Sequence, residues 1–225
     1  MNRIVSLASR SVALVAAVLL IATRASAEAA PGADGLPPGT PAPQFKLPVV
    51  NEFSAVLKAG EAAKPVKKWG PADWSGPAPT ENKKLVIMSF FATYCDPCKK
   101  EMPELARLYD TYKDQGLGVM LVSIDKGDEQ KQEILDLAAK SAVKFPVMHD
   151  RFQVVARRYS AERLPYMLML DASGTIRTVH TGYTEALKAN LENEVRAGLG
   201  LEALPPPAKE ADAKPAKGAA KKGKS

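Results

Sequence analysis

Cys95 and Cys98 are the only cysteines in the 225-residue chain, and two residues separate them. Thiols at that spacing can exchange a disulfide with a partner, staple a turn, or supply half of a metal site. A staple over so short a loop removes little entropy from the unfolded chain. Zinc wants four ligands, and beyond this pair the chain offers only His149 and His180 as thiolate or imidazole donors. Two unrelated core cysteines have no reason to sit where these do. An apolar, β-forming run, Leu85–Phe91, precedes them, and helical spacing of Met102, Leu105, Leu108 and Tyr109 follows. Strand, tight turn and helix put Cys95 at the helix start, where the macrodipole favours a thiolate. Cys98, one turn in, is placed to attack a disulfide made by Cys95. The reading is a dithiol–disulfide exchange site.

The elements that must position this pair follow in chain order. Residues 44–50 predict a short edge strand. Residues 51–84 are broken by Pro65, Gly70, Pro71, Gly76, Pro77 and Pro79, although Trp69 and Trp74 are expected to pack. A helix is expected from Pro97 to about Gln115, stopped by Gly116 and Gly118 and kinked at Pro103. Val119–Ile124 reads as a second core strand. An amphipathic helix is expected from Asp128 or Glu129 to Ser141, with Ile134, Leu135, Ala138 and Ala139 inward. Phe145–Met148 is a short strand, 152–159 a short helix and Tyr166–Leu170 a core strand. Asp171–Gly174 turns a hairpin into 175–181, and Thr184 caps a last helix to about Leu199. Alternating strands and helices, then a hairpin and a helix, predict an α/β three-layer sandwich with a mixed sheet.

The ends of the chain carry its charge. Of the formal +6, the first 27 residues hold +3 and residues 205–225 hold +4, which leaves −1 for 28–204. A near-neutral core gives no support for nucleic-acid binding. Arg3 and Arg10, an apolar run from Val12 to Ala22, and Ala25-Ser26-Ala27 read as a cleavable export signal over 1–27. The run is short for a bilayer span, so a retained anchor is the alternative and no stable span is expected after cleavage. The mature protein is therefore expected in an oxidising compartment, which is the periplasm if the cell is a Gram-negative bacterium. Residues 28–43 read as a Pro/Gly/Ala-rich linker, 44–204 as the domain, and 205–225 as a disordered basic tail. The tail is read as a solubilising appendage, with contact to acidic partners or anionic lipid as the other reading.

The segment Phe90-Phe-Ala-Thr-Tyr-Cys-Asp-Pro-Cys-Lys-Lys-Glu-Met-Pro-Glu-Leu105 resembles the active-site segment of the thioredoxin-like superfamily. It is most similar to the exported TlpA/ResA/DsbE type of thiol-disulfide oxidoreductase, within the redoxin or AhpC/TSA-like group. The resemblance runs from about Pro41 to Leu199. It takes in Pro41–Leu47, Phe145–Asp150, Arg163–Asp171 and the hairpin at Asp171–Ile176. It implies a thioredoxin-like α/β/α sandwich with a TlpA/ResA-type insertion.

The same resemblance implies roles. Cys95 becomes the solvent-facing attacking thiol, Cys98 the buried resolving thiol, and Cys95–Cys98 the redox disulfide. Pro97 keeps the turn tight. Leu164-Pro165 matches the cis-proline position facing the disulfide, with Leu164 free to pair with an extended substrate strand. Phe91 and Tyr94 stand where the family usually has tryptophans, so Tyr94 belongs to an altered substrate-binding surface. Ser89 stands where thioredoxin has a buried acid. Glu101, three residues after Cys98 and on the same helical face, is the candidate proton acceptor, against the alternative of a solvated surface glutamate. Lys99 and Lys100 read as solvated charges. Asp96 beside Cys95 disfavours the thiolate and so makes the couple more reducing.

The expected activity is reduction of disulfides in partner proteins, in cytochrome c maturation or generally. Re-reduction then needs a membrane thiol reductase of the DsbD/CcdA kind. No cofactor and no metal are required. Two rivals stay open. A thiol peroxidase needs a Pro-x-x-x-Thr/Ser-x-x-Cys setting, but Met88 and Ala92 occupy those positions before Cys95. A copper carrier would use both thiols with His149 or His180.

Overall fold

The computed structural model describes residues 35–57 and 61–205. The segments read from sequence as an export signal, 1–27, and as a basic tail, beyond 205, lie outside the described residues. The elements in chain order are β1 (Leu47–Pro48), β2 (Ser54–Ala55), β3 (Lys64–Pro65), β4 (Lys68–Trp69), β5 (Leu85–Phe91) and α1 (Asp96–Tyr112). They continue with β6 (Leu117–Ser123), α2 (Lys131–Lys140), β7 (Val147–His149), α3 (Val154–Arg158), β8 (Tyr166–Asp171), β9 (Ile176–Thr181) and α4 (Glu185–Leu199).

The central sheet runs β7-β6-β5-β8-β9. β5, β6 and β7 are parallel, and β8 and β9 are antiparallel to their neighbours. Every residue of β5 and β6 is buried, as expected of strands covered on both faces. Alternation along β5 sends successive side chains to opposite layers. Ser89 meets Glu101 of α1, whereas Phe90 packs on Tyr159, just after α3, and on Tyr166 of β8. α1 and α4 lie side by side. Arg107 bridges Glu104 and Glu192, and the Tyr112 hydroxyl joins Glu192 to Arg196.

Several expectations are corrected. Gly116 ends the first helix in the left-handed region, φ +106°, after one 3-10 turn, but Gly118 is a residue of β6. A Cβ there would come within 2.8 Å of the Trp74 ring. The inward stripe of α2 is Ile134, Leu137 and Ala138; Leu135 is only half-buried and Ala139 is exposed. The i, i+3, i+4 spacing outweighs the run of apolar neighbours. Residues 51–84 form the two-residue strands β2 to β4 and a 3-10 turn at Pro71–Asp73. Their cohesion comes from Trp69 and Trp74, edge to face at 5.4 Å with Phe53 against both.

The linker reading of 28–43 is corrected for its C-terminal part. Gly39 and Ala42 donate to the carbonyls of Ile176 and Gly174, at 2.7 and 2.9 Å, and Thr40 accepts from Ile176. Leu36 donates to the Tyr166 hydroxyl, and the Tyr159 hydroxyl donates to the Pro43 carbonyl. Prolines are tolerated on a sheet edge because one side of the strand needs no donors. The same stretch then crosses to the opposite edge. Val50 donates to the Val147 carbonyl at 2.8 Å, and Asn51 brackets β7 with both ends of its amide.

Candidate active site

Cys95 ends the loop after β5 and is the N-cap of α1; Asp96 and Pro97 open the helix. Proline is tolerated in the first turn because the missing N–H would have no partner there. Cys95 and Cys98 are joined as a disulfide, with Cα atoms 5.3 Å apart. The Cys98 N–H donates to Cys95 Sγ at 3.2 Å. Cys98 is fully buried, and Cys95, expected to face solvent, is buried as well in the disulfide form, with 8% of the residue exposed.

Glu101 lies one turn beyond Cys98 and is 1% exposed. Ser89 Oγ donates to its Oε2 at 2.7 Å, and its Oε1 has no partner. Burial pushes the carboxyl up to about 7, with the Ser89 hydrogen bond pulling the other way. The solvated-surface alternative for Glu101 is thereby removed. A buried carboxyl with one unsatisfied oxygen, titrating near neutrality, can take and return a proton.

Asp96 is fully solvated and pairs with Lys99 at 3.0 Å, which pulls its carboxyl below the usual range. Lys99 is thus a partner of Asp96 rather than a free charge, and the pairing weakens the field Asp96 exerts on Cys95. Tyr94 is 71% exposed beside Cys95. Next to it opens a groove of about 560 Å³, lined in part by Thr93, Tyr94, Ile124, Asp125 and Gln153.

The Leu164–Pro165 peptide is cis. The Pro165 carbonyl accepts from Gly182 N–H at 2.8 Å, tying the loop before β8 to the loop before α4. Tyr183, next in that loop, has its phenol pushed up to about 12 by burial and then by the charges of Glu104 and Glu101. Sequence reasoning missed Tyr183 because an aromatic just before a helix cap looks like any packing residue. It also missed Thr93 and Asp125, which share three buried hydrogen bonds.

The histidines are elsewhere engaged. His149 Nε2 bonds the Asp125 carbonyl at 2.8 Å, and His180 Nε2 pairs with Glu194 at 2.7 Å. No group of three or more His, Cys, Asp or Glu side chains able to hold a metal ion occurs among the described residues. No helix among them is long and apolar enough to cross a membrane.

Comparisons with known proteins agree with this geometry. The model of the AhpC/TSA family matches residues 38–179. The chain is similar to the thiol-disulfide oxidoreductase ResA of Halalkalibacterium halodurans, 33% identical over 99 residues that make up 44% of this chain. It is also similar to ResA of Bacillus subtilis, 31% identical over 116 residues, or 51% of this chain. The matches span 54% and 63% of those relatives' own lengths. Among solved structures, a putative thiol:disulfide interchange protein DsbE from Chlorobium tepidum superposes with a TM-score of 0.58 at 25% identity, covering 73% of this chain and 99% of that one. A secreted Mycobacterium tuberculosis disulfide oxidoreductase, at 16% identity and TM-score 0.50, covers 70% of this chain and 95% of that one and shares the fold.

Proposed function

The chain belongs to the AhpC/TSA family, and from that premise we propose that it is an exported thiol-disulfide oxidoreductase of the ResA/DsbE type that reduces disulfides in partner proteins. One observation carries the reading: a disulfide whose first sulfur belongs to the N-cap of a helix and whose second is fully buried, with a buried carboxyl one turn further along the same helix.

In the reduced protein, the Cys95 thiolate attacks one sulfur of the partner's disulfide. A mixed disulfide forms and one partner thiolate leaves. Glu101 takes the Cys98 proton, and the Cys98 thiolate attacks Cys95 Sγ, breaking the mixed disulfide and releasing the second partner thiolate. The partner gains two electrons and, from solvent and Glu101, two protons; Cys95–Cys98 is left oxidised. A membrane thiol reductase of the DsbD/CcdA kind would return the electrons. The partner would dock over Tyr94 and along Leu164-Pro165. Cytochrome c maturation is one setting for this chemistry, and general repair of misoxidised exported proteins is the other.

Membership of this family raises the peroxidase reading. Ala92 and Met88, both fully buried, supply neither the hydroxyl nor the proline which that chemistry places before its cysteine. The proposed test is Cys98→Ala in the native host. Mixed disulfides should accumulate on Cys95, and the trapped proteins would identify the substrates. If nothing is trapped and the reduced protein leaves a model disulfide intact, the redox reading falls. Separately, a reduction potential at the oxidising end of the disulfide-exchange range would overturn the direction assigned here.

A further inference from the structure

We propose that Asp125, acting through Thr93, is a positioning residue for the loop that carries Cys95. Thr93 stands two positions before Cys95. Its N–H donates to both carboxylate oxygens of Asp125, at 3.1 Å each, and its hydroxyl donates to Oδ1 at 2.8 Å. Ser123, the last residue of β6, donates its hydroxyl to Oδ2 at 2.7 Å and accepts from Asp125 N–H at 3.1 Å. From β7, His149 Nε2 holds the Asp125 carbonyl at 2.8 Å. Thr93, Ser123, Asp125 and His149 are all buried. A carboxylate taken out of water is costly unless its oxygens are bonded. Here both oxygens are bonded, and most of the bonds come from the single residue Thr93.

The neighbouring bonds show what is being held. Ile124 N–H donates to the Phe91 carbonyl at 2.9 Å, and Cys95 N–H donates to the Ala92 carbonyl at 3.0 Å. The loop is therefore fixed by β6 at Phe91, by Asp125 at Thr93, and by its own turn at Cys95. This places Cys95 Sγ where the Cys98 N–H reaches it. A thiolate at that point gains a hydrogen bond and the helix N-terminus without further ordering of the chain. Without the clamp, Cys95 would have to find that position anew in each encounter.

The proposal rests on Cys95 being the attacking thiol. The test uses the reduced full-length protein, with its rate of attack on an aromatic disulfide probe followed across pH. Thr93→Ser keeps the hydroxyl; Thr93→Val is nearly isosteric and removes it. Neither changes any charge of the chain, whether Asp96, Lys99, Lys100 and Glu101 on α1, Asp125, Lys126 and Glu129 beyond β6, or Glu162 and Arg163 before Pro165. A moved pH midpoint then reports the loop. Thr93→Val should slow attack by about tenfold and raise the pH midpoint, and Asp125→Asn, which also removes a charge, should slow attack as far, while Thr93→Ser keeps the wild-type behaviour. The clamp is refuted if Thr93→Val attacks at the wild-type rate, if its rate falls with an unmoved midpoint, or if Thr93→Ser falls as far as Thr93→Val. Should Asp125→Asn fail to fold, the Thr93 pair decides alone. Wild-type protein that does not attack the probe overturns the parent reading instead.

Discussion

Ser89, in the centre of the sheet, donates its hydroxyl to Glu101 across the interface between β5 and α1, at 2.7 Å. It is the one hydrogen bond the buried carboxyl receives, and it acts against burial, which drives the carboxyl up to about 7. A hydrogen bond to an ionised group is worth about 1.5–3 kcal/mol. Ser89→Ala should therefore push Glu101 higher and move the pH midpoint of the resolving step up by about one unit. Single-turnover release of a partner from a preformed mixed disulfide measures it, and an unmoved midpoint would separate Ser89 from the proton transfer.

Glu101→Gln keeps the shape and the acceptor oxygen but cannot take a proton. Attack by Cys95 on a disulfide should proceed at its usual rate, while resolution by Cys98 slows by about 100-fold and loses its pH dependence near 7. Rapid-quench trapping of the mixed disulfide distinguishes the two steps. Equal slowing of both would mean that Glu101 supports the helix rather than the chemistry.

The same carboxyl sets a pH dependence of stability. The unperturbed value is 4.5 and the folded value about 7. Below 4.5 both states hold the proton and Glu101 costs nothing. As pH rises from 4.5 to about 7 the unfolded chain releases its proton and the folded chain keeps it, so stability falls, by about 3 kcal/mol in all. Above 7 the penalty is constant. Denaturant melts of oxidised wild-type and Glu101→Gln protein should diverge over that window, with the variant the more stable at the alkaline end. Parallel curves would show that Glu101 is not ionising in isolation.

Tyr94 is exposed beside Cys95, where the proposed partner would dock. Tyr94→Ala should change stability by less than about 0.5 kcal/mol. Its KM for a protein disulfide should rise several-fold, because an aromatic anchor at the centre of a contact carries much of the binding. The rate with a small disulfide probe should not change. A loss with both substrates would place Tyr94 in the support of the loop instead.

How much of this could be read beforehand depended on how many signals coincided at each residue. β5 and α1 were legible because an apolar run, a cysteine at a helix start, Pro97 and helical spacing all agree. Glu101 was legible as a position, since three residues past Cys98 is one face, but its burial depends on α1 lying against β5, where Ser89 meets it. Gly118 misled because a glycine that stops a helix and one that admits an indole ring are the same letter. Residues 51–84 were opaque because two-residue strands have no period; Trp69 and Trp74 organise them by tertiary contact alone. Asp125 was invisible as a partner of Thr93. A polar residue ending an apolar strand is ordinarily the first residue of a solvated turn, and only the β5–β6 pairing turns it inward.

The stretch from Gly39 to Asn51 occupies the outer side of β9 at its turn end and then of β7 at the other flank of the sheet. Unpaired strand edges invite other chains to add themselves. One ribbon here closes off part of both flanks, so copies of the protein crowded together have fewer places to zip into one another. A chain trimmed at residue 44, where the composition changes, would lose the guard on β9 and should self-associate.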